Sequence, residues 1–319
     1  MKWSGQKIAV GGVYDGVAMD AYHGDLCVGP SFSSSGLRKI FTESPAHYFV
    51  DSYLNPDREE PDEKEAFILG RAAHHLLLGE DDFSTQFVVR PKHFDSWRSD
   101  AAKDWRMNQQ RAGRTCLLPG QIEKIRGMAR SLQSHPMVGE YNILNGNIEQ
   151  SLVWKDTATG LWLKARPDAI PTDSGDFSDL KTTASVGFYL DRDIFEYRYD
   201  MQAAITKWGA KETLNLEMQS FSFVFVETKK PHCVEVLDLG LADIAEAEKD
   251  LRAAVDTAAW CLEKNHWFGP GGTQEDARPV FISDRNRENA GYRRDFLRRE
   301  IARAEQVSEY AAEHTLGAG

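Results

Sequence analysis

Three side chains raise the question of chemistry: Asp168, Asp179 and Lys181. Asp179 and Lys181 stand at i and i+2 in the run DFSDLKT, and Asp168 ends the triplet Arg166-Pro167-Asp168, eleven residues before Asp179. The stretch from Leu161 to Thr183 reads as a hairpin, LWLKARPDAI and DFSDLKT joined by PTDSG, whose Pro, Asp, Ser and Gly suit a turn. Strand side chains alternate faces, so Asp179 and Lys181 share one, and an antiparallel partner brings Asp168 beside them. Two close carboxylates repel unless a proton or a cation lies between them, and hard oxygen ligands suit Mg²⁺ or Mn²⁺. Taken alone, an Asp-x-Lys pair also fits an ordinary solvated strand face.

The elements that must hold these residues are legible on both sides. Upstream, Asn147 to Trp154 alternates as a strand and contains Glu149. Earlier still, AFILGRAAHHLLLG reads as a helix closed by Gly79, with Gly70 and His74 four apart on one face and His75 equally placed on spacing alone. Ser33 to Ser35 offer N-caps for a helix through GLRKIF, and SPAHYFVDSYL starts a second with Pro45 near its beginning. Residues 80–135 read as mostly helical with a break near Leu117 to Gly120, Trp97 and Trp105 standing among the charges. Downstream, Tyr199, Gln202 and Lys207 fall near one face of a helix whose apolar side is Met201, Ala204, Ile205 and Trp208. SFSFVFVE and HCVEVLDL read as two strands, the first apolar enough for a sheet centre, and a long helix runs from Leu241 to about Lys264.

The 319 residues, 41% hydrophobic, can bury a substantial core. No run of about 18 apolar residues occurs, and the N-terminus lacks the apolar stretch of a signal peptide, so a cytoplasmic protein is expected, with no membrane partner. Cys27, Cys116, Cys233 and Cys261 are widely separated, which points to reduced thiols rather than a zinc ribbon. The net charge of -11 is segregated: Arg90 to Arg130 carries ten Lys or Arg against four acids, and Arg285 to Arg303 carries seven Arg against three acids. Arg106, Arg111 and Arg114 fall in the first of these stretches. Such a distribution fits a basic channel on an acidic body, and equally two solvated helices.

Six short segments, in order, resemble the RecE-like (exodeoxyribonuclease VIII) branch of the PD-(D/E)xK nucleases, which also includes the RecB-type nuclease domains. They are SPAHY, LGRAAH, IEQSLVW, RPDAI, DLKTT and YDMQAA, spread over residues 31–208. The resemblance implies an α/β fold, a PD-(D/E)xK core with a central mixed sheet flanked by helices, N-terminal helical elements and a C-terminal helical extension. The corresponding boundaries are an irregular segment at 1–30, the nuclease domain at 31–265 and an Arg-rich helical extension at 266–319. The family pattern selects His74 over His75 and implies His74, Asp168 and Asp179 as metal ligands, with the backbone carbonyl of Leu180 as a fourth. It implies that Lys181 positions or deprotonates the attacking water and neutralises charge at the phosphate, that Glu149 supports a second metal through water, and that Gln202 contacts substrate. One departure is Thr206, where the family often has Tyr; Tyr199 or Trp208 are the candidates to substitute. Some relatives hold an iron–sulfur cluster, but the usual C-terminal cysteine triplet is missing here, so none is expected.

What the resemblance implies for function is a Mg²⁺-dependent exonuclease, with Mn²⁺ as a substitute ion, acting on linear double-stranded DNA ends. It would digest the 5′-ended strand and leave a 3′ single strand for a strand-annealing recombinase. A ring-like homo-oligomer, trimer or tetramer, would present the basic surface as a channel, with Arg106, Arg111, Arg114, Tyr199 and Gln202 as DNA contacts. Two alternatives stay open: a structure-specific or restriction-type endonuclease on the same core, and a DNA-end-binding protein without catalysis.

Overall fold

Alternation in the run SFSFVFVE fixes the centre of the fold: Phe221, Phe223 and Phe225 turn to one face of a sheet, and Val224 and Val226 to the other. The computed structural model describes residues 1–59, 65–78, 83–172, 174–187, 190–272 and 281–315. Gly79, read as a helix stop, lies outside them. The chain divides into two units, Met1–Gly272 and Thr273–Gly319.

The first unit begins with β1 (Gly12–Tyr14), α1 (Met19–His23), β2 (Ser31–Ser33), α2 (Ser34–Thr42), α3 (Pro45–Asp51) and α4 (Glu65–Leu77). It continues through α5 (Phe83–Gln86), β3 (Phe87–Val89), α6 (Asp100–Arg111), β4 (Thr115–Leu117), α7 (Pro119–Ser134) and α8 (Pro136–Gly139). Then follow β5 (Asn147–Ile148), β6 (Ser151–Lys155), β7 (Trp162–Ala165), β8 (Ala169–Ile170) and β9 (Asp176–Thr183). It ends with α9 (Leu190–Glu196), α10 (Tyr199–Leu214), β10 (Ser220–Glu227), β11 (Val234–Leu239) and α11 (Leu241–Lys264). The described residues of the second unit include the helix α12 (Asp284–Thr315).

The central sheet has the order β11-β10-β9-β8-β5 and is mixed, β10 running parallel to β9 and antiparallel to β11. Its phenylalanine face packs against α10 and α11 through Met201, Ala204, Ile244, Leu251 and Val255. Its valine face, joined by Leu180, packs against α4 and α7 through Leu69, Ala73, Ile125 and Met128. Helices therefore cover both faces of a mixed sheet, as expected. A second sheet, β1-β6-β7-β2, lies against α10 so closely that a Cβ on Gly209 would come within 2.8 Å of Trp154 and 3.1 Å of Leu152. Ser33 and Ser44 cap α2 and α3, each accepting a backbone N–H three residues on. Among the described residues, no helix is long and apolar enough to cross a membrane.

The structure departs from the sequence reading in three places. LWLKARPDAI is not one straight strand: it divides into β7 and β8, which belong to different sheets, and the run from Asn147 divides likewise into β5 and β6. Pro167 has no N–H to give a ladder, and Glu149 adopts φ 51°, so both strands bend at the same level. The first thirty residues, read as irregular, pair β1 with β6 and bury Ile8, Val17, Tyr22, Leu26 and Cys27 against Val153 and Trp162. The basic region is not all helix, since β3 and β4 form a parallel pair. These strands are three residues long, too short for a period of two to be read.

An ion pair between a buried carboxylate and a half-exposed arginine closes the turn between β6 and β7. Asp156 accepts from Arg252 of α11 at 2.9 and 3.0 Å and from the Thr159 amide at 3.0 Å. Burial opposes its charge, but Arg252 and Thr159 outweigh it and hold the carboxyl below its ordinary range. Asp156→Ala is expected to cost about 2 kcal/mol in urea or thermal unfolding near neutral pH. Because the folded pKa is depressed, that contribution is complete above the ordinary carboxylate range near pH 4 and is lost as pH falls through the folded value. The difference between wild type and variant should therefore shrink in acid.

Candidate active site

The site forms where the two bent strands leave one sheet for the other. β6 pairs with β7 and β5 with β8 at the same offset, so one antiparallel ladder continues across the bend. That offset sets Glu149 opposite Asp168, and the Glu149 amide donates to the Asp168 carbonyl at 3.1 Å. Like charges directly opposite one another are unfavourable in a ladder. The third member comes from α4, where His74 Nδ1 lies 3.6 Å from Asp168 Oδ1. One ligand atom from each of His74, Glu149 and Asp168 falls within 4.8 Å of the others.

Strand β9 supplies the remaining groups. Its alternation puts Phe177, Asp179 and Lys181 on the α10 side and Leu180 and Thr182 on the α4 side. Gly70 on α4 faces Thr182, leaving room for a Cβ at 3.5 Å. The Leu180 amide donates to Asp168 Oδ2 at 2.5 Å, which leaves Asp168 Oδ1 for His74 or a cation. Asp179 is fully buried: Oδ1 accepts from Gln202 Nε2 at 2.6 Å, and Oδ2 stands in ion-pair contact with Lys181 Nζ without a well-directed hydrogen bond. The Lys181 ammonium also lies 5.0 Å from the centre of the Tyr199 ring.

Burial acts on all four ionisable groups, and their neighbours decide the sign. Desolvation opposes charge on His74, yet the Asp168 carboxylate raises its pKa overall. Desolvation likewise raises Asp168, but His74, Lys181 and the Leu180 amide bring it below the ordinary range. Asp179 goes the other way, raised by burial and by Asp168 beyond what Lys181 restores. Lys181, though desolvated, is raised by the two aspartates and is an ammonium at neutral pH.

These groups line a cleft of about 850 Å³, into which His74, Glu149, Asp168, Lys181 and Gln202 project, while Asp179 lies behind Lys181 and Gln202. His75 also borders the cleft, but its buried ring packs against Phe83 and Phe87, which stack on each other. Lys207 and Trp208 do not reach the site; both bond Glu248 of α11, at 2.8 Å. Thr206 does line the cleft, its hydroxyl donating to the Gln202 carbonyl. Arg106, Arg111 and Arg114 lie outside the cleft lining: Arg106 rests over Trp97, which stacks on Trp105, Arg114 bonds Gln109, and Arg111 is exposed. The basic region meets the cleft through Arg71, whose guanidinium donates to Thr115 at 2.7 Å.

Sequence reasoning missed three cleft arginines, Arg38, Arg71 and Arg166. Two carried a signal, Arg71 standing three residues before His74 on a helix and Arg166 two before Asp168 on a strand. Arg166 is held by the Ser151 hydroxyl and the Val17 carbonyl and covers the Tyr22 ring at 4.5 Å. Arg38 reaches from α2 to the Tyr197 carbonyl at 2.8 Å and keeps a buried Nε without a hydrogen-bond partner.

One imidazole and several carboxylate oxygens, two of the acids facing each other, form a donor set that suits a hard divalent cation. The residues fit such an ion, with His74, Glu149 and Asp168 as the grouped ligands and Asp179 adjoining them.

Comparison with known proteins bears on the fold and on the family. A solved structure from Eubacterium rectale, described as a candidate exonuclease, superposes with a TM-score of 0.53 at 12% identity, covering 79% of this chain and 90% of its own. That likeness bears on the fold. A second structure, SSO0001, covers 60% of this chain and 87% of its own at 15% identity, with a TM-score of 0.25 that carries no weight. No curated protein matches the sequence. The family model of a PDDEXK-like domain of unknown function (DUF3799) matches residues 33–278, which include Glu149, Asp168 and Asp179, and the chain belongs to that family.

Proposed function

We propose that the protein is a divalent-metal-dependent deoxyribonuclease that hydrolyses phosphodiester bonds of linear double-stranded DNA as an exonuclease. The 5′-to-3′ direction, and a 3′ single strand handed to an annealing recombinase, follow the RecE-like resemblance. The observation that carries the reading is the pair of facing acids, Glu149 and Asp168, with the Lys181 ammonium beside them in an arginine-bearing cleft. Bound there, Mg²⁺ or Mn²⁺ would supply a water of lowered pKa and Lewis-acid polarisation of a phosphoryl oxygen.

The chain's own residues do the rest. Asp168, fixed by the Leu180 amide, presents its free oxygen into the cleft, and His74 and Glu149 complete the ligand set. Lys181 is held protonated by Asp168 and Asp179, so its role is to donate to a phosphoryl oxygen and offset charge that grows in the transition state. Acting as the base would require losing a proton that both aspartates retain. Gln202, anchored on Asp179 by its amide nitrogen, fixes the carboxylate that aims Lys181. Arg38, Arg71 and Arg166 supply positive charge for the flanking phosphates.

Linear duplex should be degraded with Mg²⁺ while covalently closed circles survive; cutting of closed circles would replace the exonuclease reading with an endonuclease. The arginines give a separate expectation. Neutralising Arg71 should weaken DNA binding at every sequence and reduce the slope of log affinity against log salt by about one. The same change at Arg111 tests whether the basic region extends the track, and an unchanged slope there confines the track to the cleft.

A further inference from the structure

Where α9 gives way to α10, the backbone at Arg198 adopts φ 51° and ψ 45°, a left-handed conformation that resists a side chain. Three charge-assisted bonds hold it there. The buried Arg198 guanidinium donates to both oxygens of Asp200, at 2.9 and 3.0 Å, and to Asp250 of α11 at 2.6 Å, and it lies 4.7 Å from the centre of the Phe41 ring. A strained residue held this firmly fixes where its neighbours point. Their directions differ: Tyr199 turns inward and packs on Phe223, whereas Tyr197 stacks on Tyr199 at 5.7 Å between ring centres and stays 60% exposed.

The result is a file of three rings running from the sheet to solvent, Phe223, Tyr199 and Tyr197. Two cations beside its middle ring belong to the site. Lys181 Nζ lies 5.0 Å and the Arg38 guanidinium 5.8 Å from the centre of the Tyr199 ring, and Arg38 also donates to the Tyr197 carbonyl at 2.8 Å. The cleft's cations thus stand one ring step from an open aromatic face. A nucleotide has the same order of parts, an anionic phosphate joined through one sugar to a flat base. We infer that Tyr197 is a base-stacking residue: with a DNA phosphate at Lys181 and Arg38, the base of that nucleotide lies on the open face of the Tyr197 ring. The inference takes the cleft as the place where DNA binds, and so rests on the nuclease reading. The contact it adds is indifferent to sequence, since every base offers a π-face.

Equilibrium binding of a linear duplex in chelator, where no hydrolysis is expected, tests it with an abasic residue placed at each terminal position in turn. Removing the base at one position should weaken binding to wild type about tenfold, and Tyr197→Ala should weaken binding of intact duplex by the same factor. The two together should cost no more than either alone. Tyr197→Phe and Tyr197→Trp keep a stacking face and should bind as wild type does. Because Tyr197→Ala removes no charge and keeps the carbonyl that Arg38 bonds, the slope of log affinity against log salt should not change. Intact duplex bound equally well by Tyr197→Ala, losses that multiply at every abasic position, or an altered salt slope would each overturn the inference. If linear duplex is nonetheless degraded with Mg²⁺, the nuclease reading stands and only the stacking falls; a wild type that neither binds nor cuts DNA removes both.

Discussion

Lys181→Ala should leave a folded protein that still binds Mn²⁺ and hydrolyses DNA about a thousandfold more slowly than wild type. The magnitude follows from where the ammonium stands. It is the donor nearest the buried carboxylates, its side chain only 17% exposed, and it is fixed by Asp179 and the Tyr199 ring. A cation held in place without solvent reorganisation acts most strongly where charge develops during the reaction. Removing it leaves Asp179 buried beside Gln202 alone. That carboxyl is already raised by burial and by Asp168, so it takes up a proton and the fold survives at a cost of about 2 kcal/mol. Lys181→Arg is the companion variant: charge is kept and geometry changed, and a rate close to that of the alanine variant is expected. Single-turnover hydrolysis with saturating metal reads the effect free of binding.

Asp168→Asn should weaken Mn²⁺ binding by at least about a hundredfold, and hydrolysis should fall with it. The amide keeps the carboxylate's shape and still accepts from Leu180, so the loss reports charge rather than a collapsed strand. Glu149→Gln has a signature of its own. It removes one of two facing negative charges, so metal binding should weaken while the metal-free protein becomes more stable, by about 0.5 kcal/mol. A structural acid would show the reverse, with stability lost and metal affinity unchanged. Calorimetric metal titration and thermal unfolding in chelator, run on the same preparations, separate the two.

Much of this site is legible in the amino-acid sequence, and the part that is not has a physical cause. Asp179 and Lys181 share a face because a strand's period is two, and β9 keeps that period through eight residues. The long runs around Glu149 and Asp168 are legible as strands, while their common register across the bend is a feature of the structure. Their bend is not legible, because a left-handed Glu149 leaves no mark in composition. Spacing leaves His74 and His75 equivalent; packing separates them, His75 lying among Phe83 and Phe87 and His74 facing Asp168. The sequence reading groups His74 with Asp168 and Asp179, whereas the geometry groups His74 with Asp168 and Glu149. The difference arises because Gln202 and Lys181 engage both oxygens of Asp179, and which oxygens stay free depends on donors brought in by α10. Arg38 is hidden for a similar reason, since α2 reaches the cleft only through the packing of α2 against α10 and α11.

The most direct test is digestion of 5′-phosphorylated linear duplex by wild type and Asp168→Asn across a Mg²⁺ titration, with a chelator control. Hydrolysis that requires the metal, saturates with it and disappears in Asp168→Asn is the predicted result. Hydrolysis that persists in chelator, or that Asp168→Asn carries out at the wild-type rate, would contradict a metal-dependent nuclease centred on the facing acids of the bend.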